Sequence, residues 1–114
     1  MSKLQFAVQM GFGTDLKGKD FTKAASRAVH DALHRNFLVI GSAFDLPLSE
    51  MIVDIRVGVT NPDRVDLNAI KALAPVGKVS VQAVHGGLEV AMMDEITIIA
   101  NAIVTVSYDV EIIE

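Results

Sequence analysis

The chain contains no cysteine, so it has no disulfide, no thiol nucleophile and no zinc–thiolate site. It lacks any run of the ~18–20 apolar residues that a membrane-spanning helix needs. The nearest candidate, residues 88–110, is interrupted by Glu89, Asp94, Glu95, Asn101 and Asp109. The ten basic residues are scattered, aromatic residues make up 5%, and the net charge is −4. Without a basic stripe or an aromatic ladder, nucleic acid is not an expected partner. The opening Met1-Ser2-Lys3-Leu4 lacks the apolar stretch of a secretory signal, which leaves the cytoplasm as the expected location. Internal repeats and low-complexity segments are also missing, and the length suits one domain over residues 1–114.

Apolar side chains, in contrast, are in surplus. They account for 51% of the chain, against 21% charged. A domain of this size buries only about two-thirds of its unfolded surface. The excess implies a second buried surface, most simply one between copies of the same chain.

Leu4, Phe6, Val8 and Met10 alternate with Gln5, Ala7 and Gln9, the period of a half-buried strand. A glycine-rich stretch, Gly11 to Asp20, follows and reads as a loop. Asp20 then caps a helix whose apolar stripe is Phe21, Ala24, Ala25, Ala28, Val29, Ala32 and Leu33. The helix is expected to run to Phe37, and residues 36–50 read as an irregular segment that packs. Met51, Val53, Ile55, Val57 and Val59 alternate as a second strand. Asp66 caps a short helix, which Pro75 and Gly77 end. Lys78 to His85 is a third strand. Gly86-Gly87 breaks or bulges it, and Leu88 to Met93 continues it. Asp94-Glu95 turns the chain into a last strand, 96–113, whose run Ile96 to Val104 reads as buried on both faces. The order β-α-β-α-β-β predicts an α+β fold, a mixed sheet with helices on one face.

Between Gly11 and Asp20 lie three glycines, two aspartates and two lysines, where a plain connection needs about 2–6 residues. The spacing of Gly11, Gly13 and Gly18 fits neither phosphate-binding pattern, and no acidic ribose ligand follows. Two readings remain: a tight connector with solvated charges, or a small-ligand site. In the second, Gly11 and Gly13 give backbone access while Asp15 and Lys17 hold or polarise the ligand. His85-Gly86-Gly87 is either a bulge or a pocket wall with a switchable proton. Asn101, inside an apolar strand, needs a hydrogen-bonded network or a ligand. His30 and His34 stand one turn apart on the polar face without a His-Glu-x-x-His pattern, and solvated histidines are the simpler reading. No Gly-x-Ser-x-Gly elbow is present to support serine chemistry. No motif specifies a cofactor.

Gly11-Phe12-Gly13-Thr14-Asp15-Leu16-Lys17-Gly18 resembles the Gly-x-Gly-x-Asp-x-His-Gly signature of a family of conserved hypothetical proteins, the Lin0512 family, with Lys17 in place of the histidine. Ala74-Pro75-Val76-Gly77, His85-Gly86-Gly87-Leu88 and the strand Ile99 to Val106 resemble further elements of that family. The element order is also similar to trimeric chorismate mutases, the YjgF group and cyanuric acid hydrolase units. That likeness implies three copies packing their sheets together, with small-molecule clefts between them.

The expected function is therefore that of a homo-oligomeric small-molecule protein, with a trimer favoured. Its ligand would be a compact anionic or cyclic amide-like metabolite. If it is an enzyme, Asp15 would act as base or orienter and Lys17 as electrostatic stabiliser, with Gly11, Gly13, His85, Gly86, Gly87 and Asn101 completing the site. A ring-forming interaction module and a metal-supported site using Asp15, His30 or His85 are the alternatives.

Overall fold

A computed structural model describes residues 2–33, 46–74 and 76–110. The elements are β1 (Ser2–Asp15), α1 (Phe21–Leu33), β2 (Ile52–Val59), α2 (Leu67–Lys71), β3 (Lys78–His85), β4 (Leu88–Met92) and β5 (Glu95–Val110), with single 3₁₀ turns at Leu48–Glu50 and Pro62–Arg64. The α+β class holds, as a five-stranded mixed sheet. The expected continuation of α1 to Phe37, the irregular segment up to residue 45, Pro75 and the end of the last strand lie outside the described residues. Among the described residues no helix is long and apolar enough to cross a membrane.

β5 organises the sheet. One edge pairs antiparallel with β1 over its whole length, and the other is shared between β4, opposite 95–99, and β2, opposite 101–107. β3 lies parallel to β2 on its far side. β4 therefore does not continue β3. At Gly86-Gly87 the chain steps across the end of β2 and takes up the remaining edge of β5. Gly86 N–H donates to the Val59 carbonyl at 3.0 Å as the chain turns. Gly87 has φ +63°, and a Cβ there would run into the Ile99 carbonyl, so this crossing needs glycine.

α1 starts where the cap residue predicts. Asp20 accepts from Lys23 N–H at 3.0 Å, and its own carbonyl takes the Ala24 N–H. Asp66 caps α2 by accepting from Asn68 and Ala69. The small residues of α1, Ala24, Ala25, Ala28 and Ala32, are buried together with Phe21 and Val29. They pack on Val53, Val57, Ala100, Ala102, Val104 and Val106 in one core.

Further expectations change. The strand does not end at Met10 but runs to Asp15, leaving only 16–20 as the loop. The pairing register also shifts between Gln5 and Ala7. A bulge of this kind reverses which side chains face which way. Past it, Ala7 stands opposite buried Val106, and Gly11 and Gly13 stand opposite Ala102 and Ala100, all on the helix side. The large residues Val8, Met10 and Phe12 consequently face away from the helix and are 51%, 75% and 69% exposed. With the helices on one side of the sheet only, β5 is likewise not buried on both faces within one chain. Ile98, Ala100, Ala102 and Val104 are buried, while Asn101 and Ile103 are exposed.

Candidate functional site

The residues singled out from sequence fall into two groups on opposite faces of the sheet. The first is Gly11, Gly13 and Asp15, on the helix side of β1, with the loop to Asp20 that follows. Cβ atoms at Gly11 and Gly13 would collide with the α1 backbone, at Ala28 and Ala32 and at Arg27 and Ala28 respectively. These glycines let the helix lie directly on β1. Asp15 is 2% exposed and accepts the Asp20 N–H at 2.9 Å, tying the end of the strand to the helix cap. Its other oxygen faces Lys23 at 3.8 Å and Arg27 at 3.9 Å. Arg27 also donates to the Thr14 carbonyl at 2.6 Å, and Asp31 accepts the Phe12 N–H at 3.1 Å. Both backbone groups belong to the outer edge of β1, so α1 side chains occupy hydrogen-bonding positions an added strand would use. Lys17 is largely exposed, 4.0 Å from Glu95. The second element reaching Asp15 is thus α1, and not His85 or Asn101.

The second group lies on the open face, where four strands place side chains in rows. Phe12, Asn101, Gly58 and Val84 form one row, Met10, Ile103, Arg56 and Gln82 the next, and Val8, Thr105, Asp54 and Ser80 the third. Two spaces open along these rows. A groove of about 540 Å³ is lined by Lys3, Asp54, Arg56, Ser80, Gln82, Ile103 and Thr105 among others. A hollow of about 100 Å³ beside it is lined by Arg56, Gly58, Val84, His85, Gly86, Asn101, Ala102 and Ile103. Arg56 and Ile103 border both.

The electrostatics of the groove are uneven. Ser80 donates to Asp54 at 2.5 Å, and Lys3 does so at 2.9 Å. The Ser80 hydrogen bond, and then that of Lys3, hold the Asp54 carboxyl below its ordinary value of 3.8. Arg56 sits two residues along on the same face, and among the described residues no carboxylate pairs with it.

The sequence-predicted residues Asn101, Gly86 and His85 meet at the hollow. Asn101 projects over Gly58, where a Cβ would occupy the space its side-chain oxygen takes, and a Cβ at Gly86 would lie 3.1 Å from that oxygen. Gly87 belongs to the strand crossing just beyond. His85 borders the hollow from the end of β3, in register with buried Val59. Asp15, His30 and His85 do not converge, and among the described residues no three His, Asp or Glu side chains are grouped to hold a metal ion. Arg56, Gln82, Asp54 and Ser80 were missed in the sequence. Their signal was present in the alternation of Asp54 and Arg56 with apolar residues along β2, but such a pattern by itself reads as a solvated face.

Fold and site together define a class: a small α+β protein whose sheet is backed by one helix layer and left open on its other face. Residues 5–106 match the profile of a family described as conserved hypothetical proteins, the Lin0512 family, and the chain belongs to it. The assignment read from the glycine motifs therefore stands. The chain is also similar to a solved structure, an FtsZ-like protein of unknown function from Nostoc punctiforme PCC 73102. The TM-score is 0.85 at 30% identity, covering 96% of this chain and 98% of that one. No curated protein matches the chain.

Proposed function

We propose that the protein is a homo-oligomer that binds a compact small molecule on the open face of its sheet, in a cleft closed by a neighbouring copy. One observation carries this reading: exposed Val8, Met10, Phe12 and Ile103 lie on the same face as the polar groove around Arg56. Fully burying a side chain of the Met or Phe type is worth roughly 1.5–3 kcal/mol, so a face with several of them favours a cover. A trimer is the assembly we expect, from the likeness to proteins that pack three such sheets together. Asp15 and Lys17 line neither the groove nor the hollow, so the proposal is a binding function with no reaction assigned.

Size-exclusion chromatography with light scattering at micromolar concentration tests the assembly. The expected result is about three times the 12.2 kDa chain mass, with Phe12→Lys shifting the protein to monomer. A wild-type protein running as a 12.2 kDa monomer overturns the interface. A thermal-shift screen against a metabolite panel tests binding; a panel without a single stabilising compound counts against it.

A further inference from the structure

Arg56 is an open-face cation without a carboxylate among the described residues, on a chain of net charge −4. The acid nearest it on the same face of β2, Asp54, is already engaged by Ser80 and Lys3. The charged side chains lining the two spaces are Lys3, Asp54 and Arg56, so this lining carries one positive charge in excess. A guanidinium in this position has its planar fork of donors available to an incoming anion.

Two amides flank it. Gln82 stands beside Arg56 in register on β3, and Asn101 stands one row away on β5. Asn101 is seated by glycines at two separate positions. Any side chain at Gly58 would take its place, and a Cβ at Gly86 would lie 3.0 Å from the Gly58 Cα and 3.1 Å from the Asn101 side-chain oxygen. β2 and the crossing after β3 thus give up side chains around this amide, and the hollow of about 100 Å³ is what they leave. Ile103 supplies an apolar wall between the hollow and the larger groove.

We infer that Arg56, with Gln82 and Asn101 as neutral donors, is a subsite for the carboxylate of a compact organic acid, its apolar body lying against Ile103. This rests on the small-molecule reading above and specifies its ligand class. A monoanion matches the single excess charge. A phosphate dianion would call for a second cation, and the one other cation lining these spaces, Lys3, is committed to Asp54. The planar guanidinium and amides likewise match a planar carboxylate better than a tetrahedral phosphate.

The test titrates the full chain at pH 7 with a panel of small monocarboxylates, with inorganic phosphate and with neutral amides of the same carbon skeletons. Binding is followed by calorimetry and by the NMR signals of the Arg56 Nε–H and Asn101 Nδ2 groups. At least one carboxylate is expected to bind and shift both signals, and its amide to bind far more weakly. Arg56→Gln should weaken binding by roughly tenfold or more, and Asn101→Ala by a smaller factor. Arg56 is exposed, so the fold of Arg56→Gln is expected to persist, as its melting temperature will show. The inference is overturned if no carboxylate binds up to millimolar concentration. Phosphate binding more tightly than every carboxylate, or carboxylate binding that survives Arg56→Gln, overturns it equally. If the neutral amides bind as well as the acids and ignore Arg56→Gln, small-molecule binding stands and only the carboxylate subsite falls.

Discussion

Gly13 lies directly beneath Ala28: a Cβ on the glycine would run into the alanine's amide nitrogen and come within 2.5 Å of Arg27 Cβ. The same relation recurs one turn on, between Gly11 and Ala32. Contact between helix and strand backbones is what brings α1 close enough for Asp31 and Arg27 to reach the edge of β1. Gly13→Ala is therefore expected to cost at least about 2 kcal/mol, and Ala28→Leu roughly 1–3 kcal/mol, by overpacking. Urea denaturation measures both; unchanged midpoints would show that the helix does not rest on this part of β1.

Asp15 links the end of β1 to the first turn of α1 by accepting the Asp20 N–H while buried. Asp15→Ala leaves that amide without its acceptor, and a loss of roughly 1–3 kcal/mol is expected. Asp15→Asn retains an acceptor oxygen and should cost less. The contribution of Lys23 and Arg27 is small, because both are half-exposed at nearly 4 Å. Equal stability of Asp15→Ala and wild type in chemical denaturation would remove this role.

The pH dependence of stability should carry a signature of Asp54. Its folded-state pKa is lowered by Ser80 and then Lys3, so it binds protons less readily folded than unfolded. Its contribution is complete above the unfolded value of 3.8 and is lost as pH falls through the lower folded value. Stability should therefore drop on acidification below about pH 4, and Ser80→Ala or Asp54→Asn should flatten that drop. Denaturation series between pH 6 and pH 2.5 on the three proteins make the comparison, and superimposable curves would contradict it.

Gly87 takes φ +63° while the chain passes from β3 to β4, and its Cα has no room for a substituent facing the Ile99 carbonyl. Gly87→Ala combines a left-handed backbone penalty of about 1 kcal/mol with that clash. Hydrogen exchange should show protection lost first in Leu88–Met92, which pairs only with β5. Protection lost evenly over the sheet would mean that the crossing is not the weak point.

Much of this was legible from residue order. Asp20 and Asp66 cap helices because a carboxylate before an apolar-periodic run meets orphan amides whatever surrounds it. The alanine stripe of α1 is buried as its spacing of three and four dictates. The glycine motifs carried the family, since their spacing is a local property of the chain.

The tertiary structure alone decided which face of β1 is inside. Alternation marks Leu4, Phe6, Val8 and Met10 as one set, but a one-residue bulge after Gln5 parts them and turns Val8 and Met10 outward. A bulge has no fixed sequence signature, because it is selected by what must fit on the other side. Here that is an alanine-faced helix, which needs Gly11 and Gly13 beneath it. The site followed the same logic. Asp15 and Asn101 were both unusual in the sequence, yet strand register puts them on opposite faces. Asp15 became a link between strand and helix, while Asn101 came to stand near Arg56, a residue 45 positions earlier whose significance depends on having no carboxylate paired with it among the described residues. Local chemistry determined the elements and their caps; long-range register, in which a shift of one residue exchanges the two faces of a strand, decided what those elements present to solvent.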